Sequence, residues 1–294
     1  MTHDPFVLDL RGHLLDCSPG WVHVMGILNV TPDSFSDGGL YLDVDAAVER
    51  ARTMADEGAR LIDIGGASSR PRGRVYGEGA QVLSPEEEAA RILPVIHGVS
   101  EAVPDVLISV DTFQGEVAAQ ALEAGAHLIN DITALRHSPE IAGLVAERNA
   151  GLALMHSLGE VGGMPHSARY GDVVQEVADS LLDAAMQAES AGVRAIMLDP
   201  GFGFGKSVGD NLRLIAHCDR LVALGYPVLL GVSRKSSIGA ALGSRDKPAP
   251  IEERLFGSLG ATAVGVLRGA SIVRTHDVAE TAQMLRVLSA TAAP

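Results

Sequence analysis

The chain has 294 residues and a mass of 30.6 kDa, enough for one large domain or two ordinary ones; a closed α/β barrel usually takes about 250 residues. Acidic residues outnumber basic ones 37 to 23, and the resulting net charge of −14 repels polyanions and argues against a nucleic-acid partner. Two cysteines, Cys17 and Cys218, stand outside any paired spacing, which excludes a disulfide framework or thiolate metal cluster and fits a reducing cytoplasm.

In chain order, the opening MTHDPFVLDLRGH alternates apolar and charged residues, so neither a signal peptide nor a membrane span is expected. FVLDL, Gly12 and HLLDC predict a small hairpin, a 1–21 extension placed to cover the bottom of a 22–294 barrel domain. Strands are then predicted at HVMGIL ending at Leu28, LIDIG ending at Gly65, VLISV ending at Val110 and HLIN ending at Asn130. Four more follow at LALM to Met155, AIML to Leu198, VLLGV to Val232 and SIVR to Arg274.

Helical stripes separate the strands. Asp43 is the expected N-cap of a helix carrying Val44, Ala47, Val48, Ala51, Met54 and Ala55 on one face, with Gly58 as its stop. Val174, Val177, Leu181, Ala185 and Ala188 form another stripe, and Val278, Thr281, Ala282, Leu285 and Leu288 a third. Eight strand–helix units without a linker predict a single-domain (β/α)8 TIM barrel with a short N-terminal β-hairpin, a doubly wound open sheet being the competing architecture.

In such a barrel the chemistry sits where strands end. There the chain carries Asn29, Asp63 and the loop to Arg70, Asp111, Asn130 with Asp131, His156, Asp199, Arg234 with Lys235, and Arg274 with His276. Asp63, Asp131 and Asp277 read as structural, through capping or internal hydrogen bonds, and His156 as a packed core histidine. Asp111, Asn130 and Asp199 suit the donor-rich edge of a flat heterocycle, whereas Arg70, Lys235, Arg274 and His276 form an anion-binding set. Together they suggest a heterocycle bearing phosphate. The string DPGFGFGKS at 199–207 is not a P-loop, because Pro200 stands where that motif needs glycine. There is no zinc-protease His-Glu-x-x-His segment and no serine-hydrolase elbow.

The ordered segments MGILNVTPDSFSDGG at 25–39, GGASSRP at 65–71, ISVDT at 108–112, INDI at 129–132, LMH at 154–156, LDPGFGFGK at 198–206, GVSRKSSIG at 231–239 and IVRTHDV at 272–278 span nearly the whole chain. In them the sequence resembles the dihydropteroate synthases of folate biosynthesis. The resemblance implies a transferase, a TIM barrel that joins 6-hydroxymethyl-7,8-dihydropterin pyrophosphate to p-aminobenzoate with release of pyrophosphate. It further implies that Asp111, Asn130, Asp199 and Lys235 hold the pterin, with Met155 and Phe204 lining the slot and Arg274 stacking on the ring and reaching phosphate. Asn29, Arg70 and His276 would attend the pyrophosphate and its Mg²⁺, Asn29 being the metal ligand. Phe35, Ser69, Pro71, Lys235 and Ser236 would form the p-aminobenzoate site, and Asp111, Lys235 and Arg274 would carry the catalysis.

Two departures stand in the second loop, where the family pattern has Glu at the position of Ala67 and Gly at that of Arg72. The loop, RPRGRVYGEGAQVLSPEE, is also longer than usual, so amine specificity follows less directly than pterin binding. A catalytically altered pterin-binding paralogue, a pterin-dependent methyltransferase module and a non-enzymatic pterin binder are the alternatives. The cationic set argues against the methyltransferase, which has no pyrophosphate to hold. The segment 251–268 places Leu255, Phe256, Leu259, Ala263, Val266 and Leu267 on one face and Gly260, Ala261, Val264 and Gly265 on another, which predicts a homodimer.

Overall fold

A computed structural model describes residues 6–30, 44–67, 83–159 and 169–292. Strands β1 (Val7–Leu10) and β2 (His13–Asp16) form an antiparallel hairpin whose Arg11–Gly12 turn has both residues at positive φ, 59° and 89°, as a two-residue hairpin turn requires. The barrel strands follow: β3 (His23–Asn29), β4 (Ala59–Gly65), β5 (Leu107–Asp111), β6 (Leu128–Asp131), β7 (Gly151–Met155), β8 (Ala195–Asp199), β9 (Leu229–Leu230) and β10 (Ile272–Thr275). Every neighbouring pair is parallel, in the order β8-β7-β6-β5-β4-β3-β10-β9, and a parallel bridge between Leu198 and Val228 brings β8 back to the β9 segment. The eight strands thus form a nearly closed barrel, and the open-sheet alternative falls away.

Ten α-helices connect them among the described residues: α1 (Val44–Glu57), α2 (Pro85–Ala102), α3 (Gly115–Glu123), α4 (Ile141–Glu147), α5 (Val173–Ser190), α6 (Val208–Ala216), α7 (Cys218–Val222), α8 (Ser236–Leu242), α9 (Leu255–Leu267) and α10 (Val278–Ala292). Local signals explain where several begin. Ser84 and Ser207 close capping boxes with Glu87 and Asp210, Asp172 caps α5 through the Val174 and Gln175 amides, and Gly58 turns the chain out of α1 at φ 109°. Asp43, the expected cap of α1, lies outside the described residues.

Apolar side chains fill two layers. Outside the barrel, the helix stripes pack on outward strand residues such as Ile62, Ile108, Ile129 and Leu152. Inside it, Met25, Leu61, Leu107, Leu128, Ala153, Met197, Leu229 and Ile272 meet Leu8, Leu10, Leu15 and Cys17 of the hairpin segment. The hairpin therefore plugs the N-terminal end of the barrel, and Arg11 ties it down by donating to the Leu122 and Ala126 carbonyls at 2.9 and 2.8 Å. Both cysteines are free and buried. No described helix is long and apolar enough to cross a membrane.

Two expectations need correction. The strand at 228–232 pairs with β10 only through Leu229 and Leu230, because the chain then bends into a turn with Arg234 at φ 53°. Helix α9 is rotated from the face predicted for it. Arg254, just before it, and Ser258, Thr262 and Gly265 within it face the barrel, while Phe256 and Leu267 are 81% and 70% exposed. Hydrogen bonding and close packing decide this. Ser258 Oγ accepts the Arg234 amide at 2.9 Å, and a methyl group at Gly265 would overlap Leu230.

Candidate active site

Parallel strands deliver their last residues to one rim, so side chains far apart in sequence converge there. Asn29 ends β3, Asp111 ends β5, Asn130 and Asp131 end β6, Met155 ends β7 with His156 next, and Asp199 ends β8. Ser233, Arg234 and Lys235 follow β9, Arg274 lies in β10, and His276 follows it.

The centre of the rim is an ion-pair network. Arg274 Nε donates to Asp63 Oδ2 at 2.6 Å and its Nη2 to Asp111 Oδ2 at 2.9 Å. Asp63, wholly buried, also accepts from Ser109 Oγ at 2.5 Å and from Asn130 Nδ2 at 3.2 Å. A carboxylate can only accept, which fixes the Asn130 amide orientation and leaves its Oδ1 as a buried acceptor without a partner. A buried acceptor of this kind is costly unless a donor, from ligand or water, meets it. The acidic and cationic sets separated in the sequence are therefore interleaved, Arg274 lying among the carboxylates.

Charge crowding tunes these groups. Burial pushes the Asp111 carboxyl up to about 7; Arg274 opposes the shift, while the negative charges of Asp63, Glu88 and Asp131 add to it. Burial likewise raises Asp199, against the pull of Lys235, the Gly201 amide and Arg274. Lys235 is lowered to about 8, by burial first and by Arg274, with Asp199 holding it up.

Apolar walls stand beside the polar rim. Met155, Phe113 and Ile132 form one buried cluster on which Phe204 packs. Lys235 Nζ lies 4.4 Å from the Phe204 ring centroid, within cation–π range, and donates to the Phe202 carbonyl. Asp199 Oδ1 accepts the Gly201 amide at 2.7 Å. Carboxylate and amide acceptors, aromatic and thioether side chains and cations gathered at one rim can hold a planar, donor-rich heterocycle carrying an anionic arm.

The remaining expected residues divide. Ser233 Oγ and His276 Nδ1 share a 3.0 Å hydrogen bond, placing His276 beside the 233–235 turn, and Ser236 opens α8 with Lys235 as its N-cap. Phe35, Ser69, Arg70 and Pro71 lie outside the described residues, as does the altered loop position Arg72. Asp131 accepts the Thr133 and Leu135 amides, each at 2.7 Å, and Asp277 pairs with Arg234, both structural as expected. His156 is buried in the core and held neutral by burial, its pKa lowered to about 3.

Among the described residues no three His, Cys, Asp or Glu side chains gather as a metal cage. Asn29, half-buried at the rim, offers an amide oxygen, a hard donor. Such a sparse set suits a magnesium ion that takes its other oxygens from phosphate and water.

Three contributors escaped the sequence reading. Asp63 is more than a structural acid, because it aims Arg274. Glu88, buried on the first turn of α2, is bonded by Gln114 and adds negative charge behind Asp111. Lys206 is buried and donates to the carbonyls of His156, Gly201 and Phe204 at 3.1, 2.9 and 3.0 Å. A lysine inside a glycine-rich turn that fails the P-loop spacing was the available signal for it.

Comparison with known proteins agrees with this fold. The pterin binding enzyme family matches residues 25–276. The dihydropteroate synthase of Bacillus subtilis is 42% identical over 269 residues, covering 91% of this chain and 87% of its own length. A crystal structure of Xanthomonas albilineans dihydropteroate synthase with 4-aminobenzoic acid superposes with a TM-score of 0.87 at 44% identity, covering 99% of this chain and 100% of that one. The same enzyme in complex with 7,8-dihydropteroate gives 0.83 at 42% identity, covering 98% and 100%. By sequence and fold, the chain belongs to the dihydropteroate synthase family of pterin-binding enzymes.

Proposed function

We propose that this transferase condenses 6-hydroxymethyl-7,8-dihydropterin pyrophosphate with p-aminobenzoate to give 7,8-dihydropteroate and pyrophosphate. The observation that carries the reading is the Asp63–Arg274–Asp111 network beside the unfilled Asn130 acceptor, with Asp199 and Lys235 across the slot. Asp199 and Asn130 take the amino-pyrimidinone edge, and Met155 and Phe204 hold the ring faces. Arg274 stacks on the ring, and Lys235 and His276 face the anionic arm, together with Arg70 of the second loop.

The reaction breaks the bond from the pterin methylene to the pyrophosphate oxygen, which leaves with the electron pair. The electron-rich ring delocalises the resulting cation, so the substitution is SN1-like. Asp111, ionised, stabilises that cation, while Arg274 and Lys235 stabilise the departing anion. The amine lone pair then forms the carbon–nitrogen bond and its proton leaves to solvent. Phe35, Ser69, Pro71, Lys235 and Ser236 hold the amine and exclude water, which would otherwise take the cation. Asn29 would hold a Mg²⁺ ion beside the anionic arm, where it would supply charge neutralisation for the leaving group.

Two further features belong to this reading. The reaction is placed in the cytoplasm, supported by the free buried thiols. The chain works as a homodimer, supported by the exposed Phe256 and Leu267 of α9 and by a groove of about 390 Å³ lined by Val264, Leu212, Ile238 and Leu242. Light scattering of the dilute protein tests the dimer, a monomer mass refuting it.

The decisive assay is turnover of dihydropterin pyrophosphate with Mg²⁺, with and without p-aminobenzoate, following both products by chromatography. Dihydropteroate formed only with amine and metal present is expected. Pterin binding without product would reject the synthase in favour of a non-catalytic paralogue.

A further inference from the structure

The Gly-Lys-Ser string at 205–207 invites a phosphate-binding role, and the geometry rules that out for its lysine. An ammonium has three donors. All three of those on Lys206 are spent on main-chain carbonyls: His156 beyond β7, Gly201 at the start of the turn and Phe204 near its end. The side chain is 4% exposed, so no donor remains for a substrate.

Those carbonyls define a turn with three jobs at the site. Its Gly201 amide fixes Asp199 Oδ1, its Phe202 carbonyl takes the Lys235 ammonium, and its Phe204 ring lies beneath that same ammonium. The backbone is bent to do this, with Gly201, Gly203 and Gly205 at φ 66°, 88° and 71°. A methyl group at Gly201 would collide with the His156 carbonyl oxygen, so the turn is drawn tightly against the end of β7. Asn211 completes the clamp from α6, accepting the Gly203 amide at 2.7 Å and donating to the Lys206 carbonyl at 3.3 Å. Without a cation, three carbonyl oxygens would converge in a buried space with nothing to bind them.

We propose that Lys206 is a positioning residue for the pterin site: by gathering three carbonyls on one buried ammonium it sets the 200–206 turn that presents Asp199 and Lys235 to the substrate. The inference rests on the functional reading above and extends it to a residue that does not touch the pterin. Lys206 also acts through charge. Asp199 faces Lys235, Arg274 and Lys206, all of which favour its ionised form. Lys206 is itself lowered to about 7, by burial first and by Lys235 and Arg136, with Asp199 and Asp210 holding it up, so it is a cation across the acid limb.

The test compares wild type, Lys206→Met and Lys206→Arg as full-length proteins, varying dihydropterin pyrophosphate at saturating p-aminobenzoate between about pH 5.5 and 9. Lys206→Met is expected to lower kcat/KM for the pterin at least tenfold. Its acid limb moves to higher pH, because a cation favouring ionised Asp199 is lost. Lys206→Arg keeps the charge and returns the limb toward wild type. Unchanged kinetics in Lys206→Met would overturn the proposal, as would a loss of rate with an unmoved acid limb, the signature of a merely structural role. If Lys206→Met does not fold, Lys206→Gln is read with the same two outcomes. A wild type that makes no dihydropteroate would sink the functional reading instead, and Lys206 would then be judged on calorimetric binding of the same pterin pyrophosphate.

Discussion

At the N-terminal end of the barrel, Leu8, Leu10, Leu15 and Cys17 close over Leu107, Leu128, Met197 and Ile272, whereas at the C-terminal end the same strands present Asp111, Asn130, Asp199 and Arg274. One end buries apolar area and gains stability from it. The other buries charged groups, and that burial pushes Asp111 up to about 7 and Lys235 down to about 8. The contrast teaches where stability and function separate within a single sheet. Changes below should move melting temperature without kinetics, and changes above should do the reverse.

Asp63 blurs that boundary and gives the largest expected effect. It is wholly buried and receives Arg274, Ser109 and Asn130, so Asp63→Ala should cost about 3–5 kcal/mol of stability, the scale for breaking a buried ion pair. Turnover should be lost with it. Chemical denaturation and the product assay check both, and retention of either full stability or full activity would contradict the network drawn here.

Asp199→Asn keeps the acceptor for the Gly201 amide and removes only charge. A loss of about 10²–10³-fold in kcat/KM is expected with little change in melting temperature, the usual scale for removing a preorganised electrostatic group. Leu10→Ala, at the opposite end, should cost about 2–5 kcal/mol and leave kcat and KM of the folded protein unchanged.

The pH dependence of stability sharpens the comparison, because His127 below and Asp111 above carry opposite signs. His127, beneath the barrel beside His13, has its pKa lowered to about 4 by burial, and its Nδ1 accepts the Ile108 amide. Between about pH 6.5 and 4 the unfolded chain takes up a proton that the folded chain refuses, so stability falls as pH drops through that window. His127→Gln should flatten part of that fall in thermal melts. Asp111 behaves the other way, its raised value making the fold lose stability as pH rises from 3.8 to about 7. Asp111→Asn, which resembles the protonated acid, should therefore melt no lower than wild type at pH 7.5 while losing activity. A drop of several degrees would show that the Arg274 pair outweighs the cost of burying the charge.

The smallest effect belongs to the surface. Phe256→Glu on α9 should leave catalysis intact and shift the light-scattering mass toward the monomer, since Phe256 faces solvent and touches none of the rim.

Much of this was legible in advance, for reasons that differ by residue. Strand positions followed from short apolar runs, and Asp111, Asn130, Asp199 and Arg274 from lying at the ends of those runs. Helix α9 was misread because its stripe was judged by hydrophobicity, while its orientation is set by Ser258 bonding the Arg234 amide and by Arg254 Nη1 donating to the Arg234 carbonyl at 3.0 Å. Asp63 was read as structural because nothing local in the sequence shows that Arg274, 211 residues away, would lie on it.

The alternation of strand and helix, the plug at the bottom and the chemical kinds gathered at the rim were determined by the sequence alone, because periodicity, turn residues and strand ends are local properties of the chain. Which charges face one another was decided only by barrel closure, which sets Arg274 between Asp63 and Asp111 and converges three carbonyls from two loops on Lys206. Pairwise electrostatics and shared hydrogen bonds depend on distances of a few ångströms between residues remote in sequence, and those distances exist only once the barrel has closed.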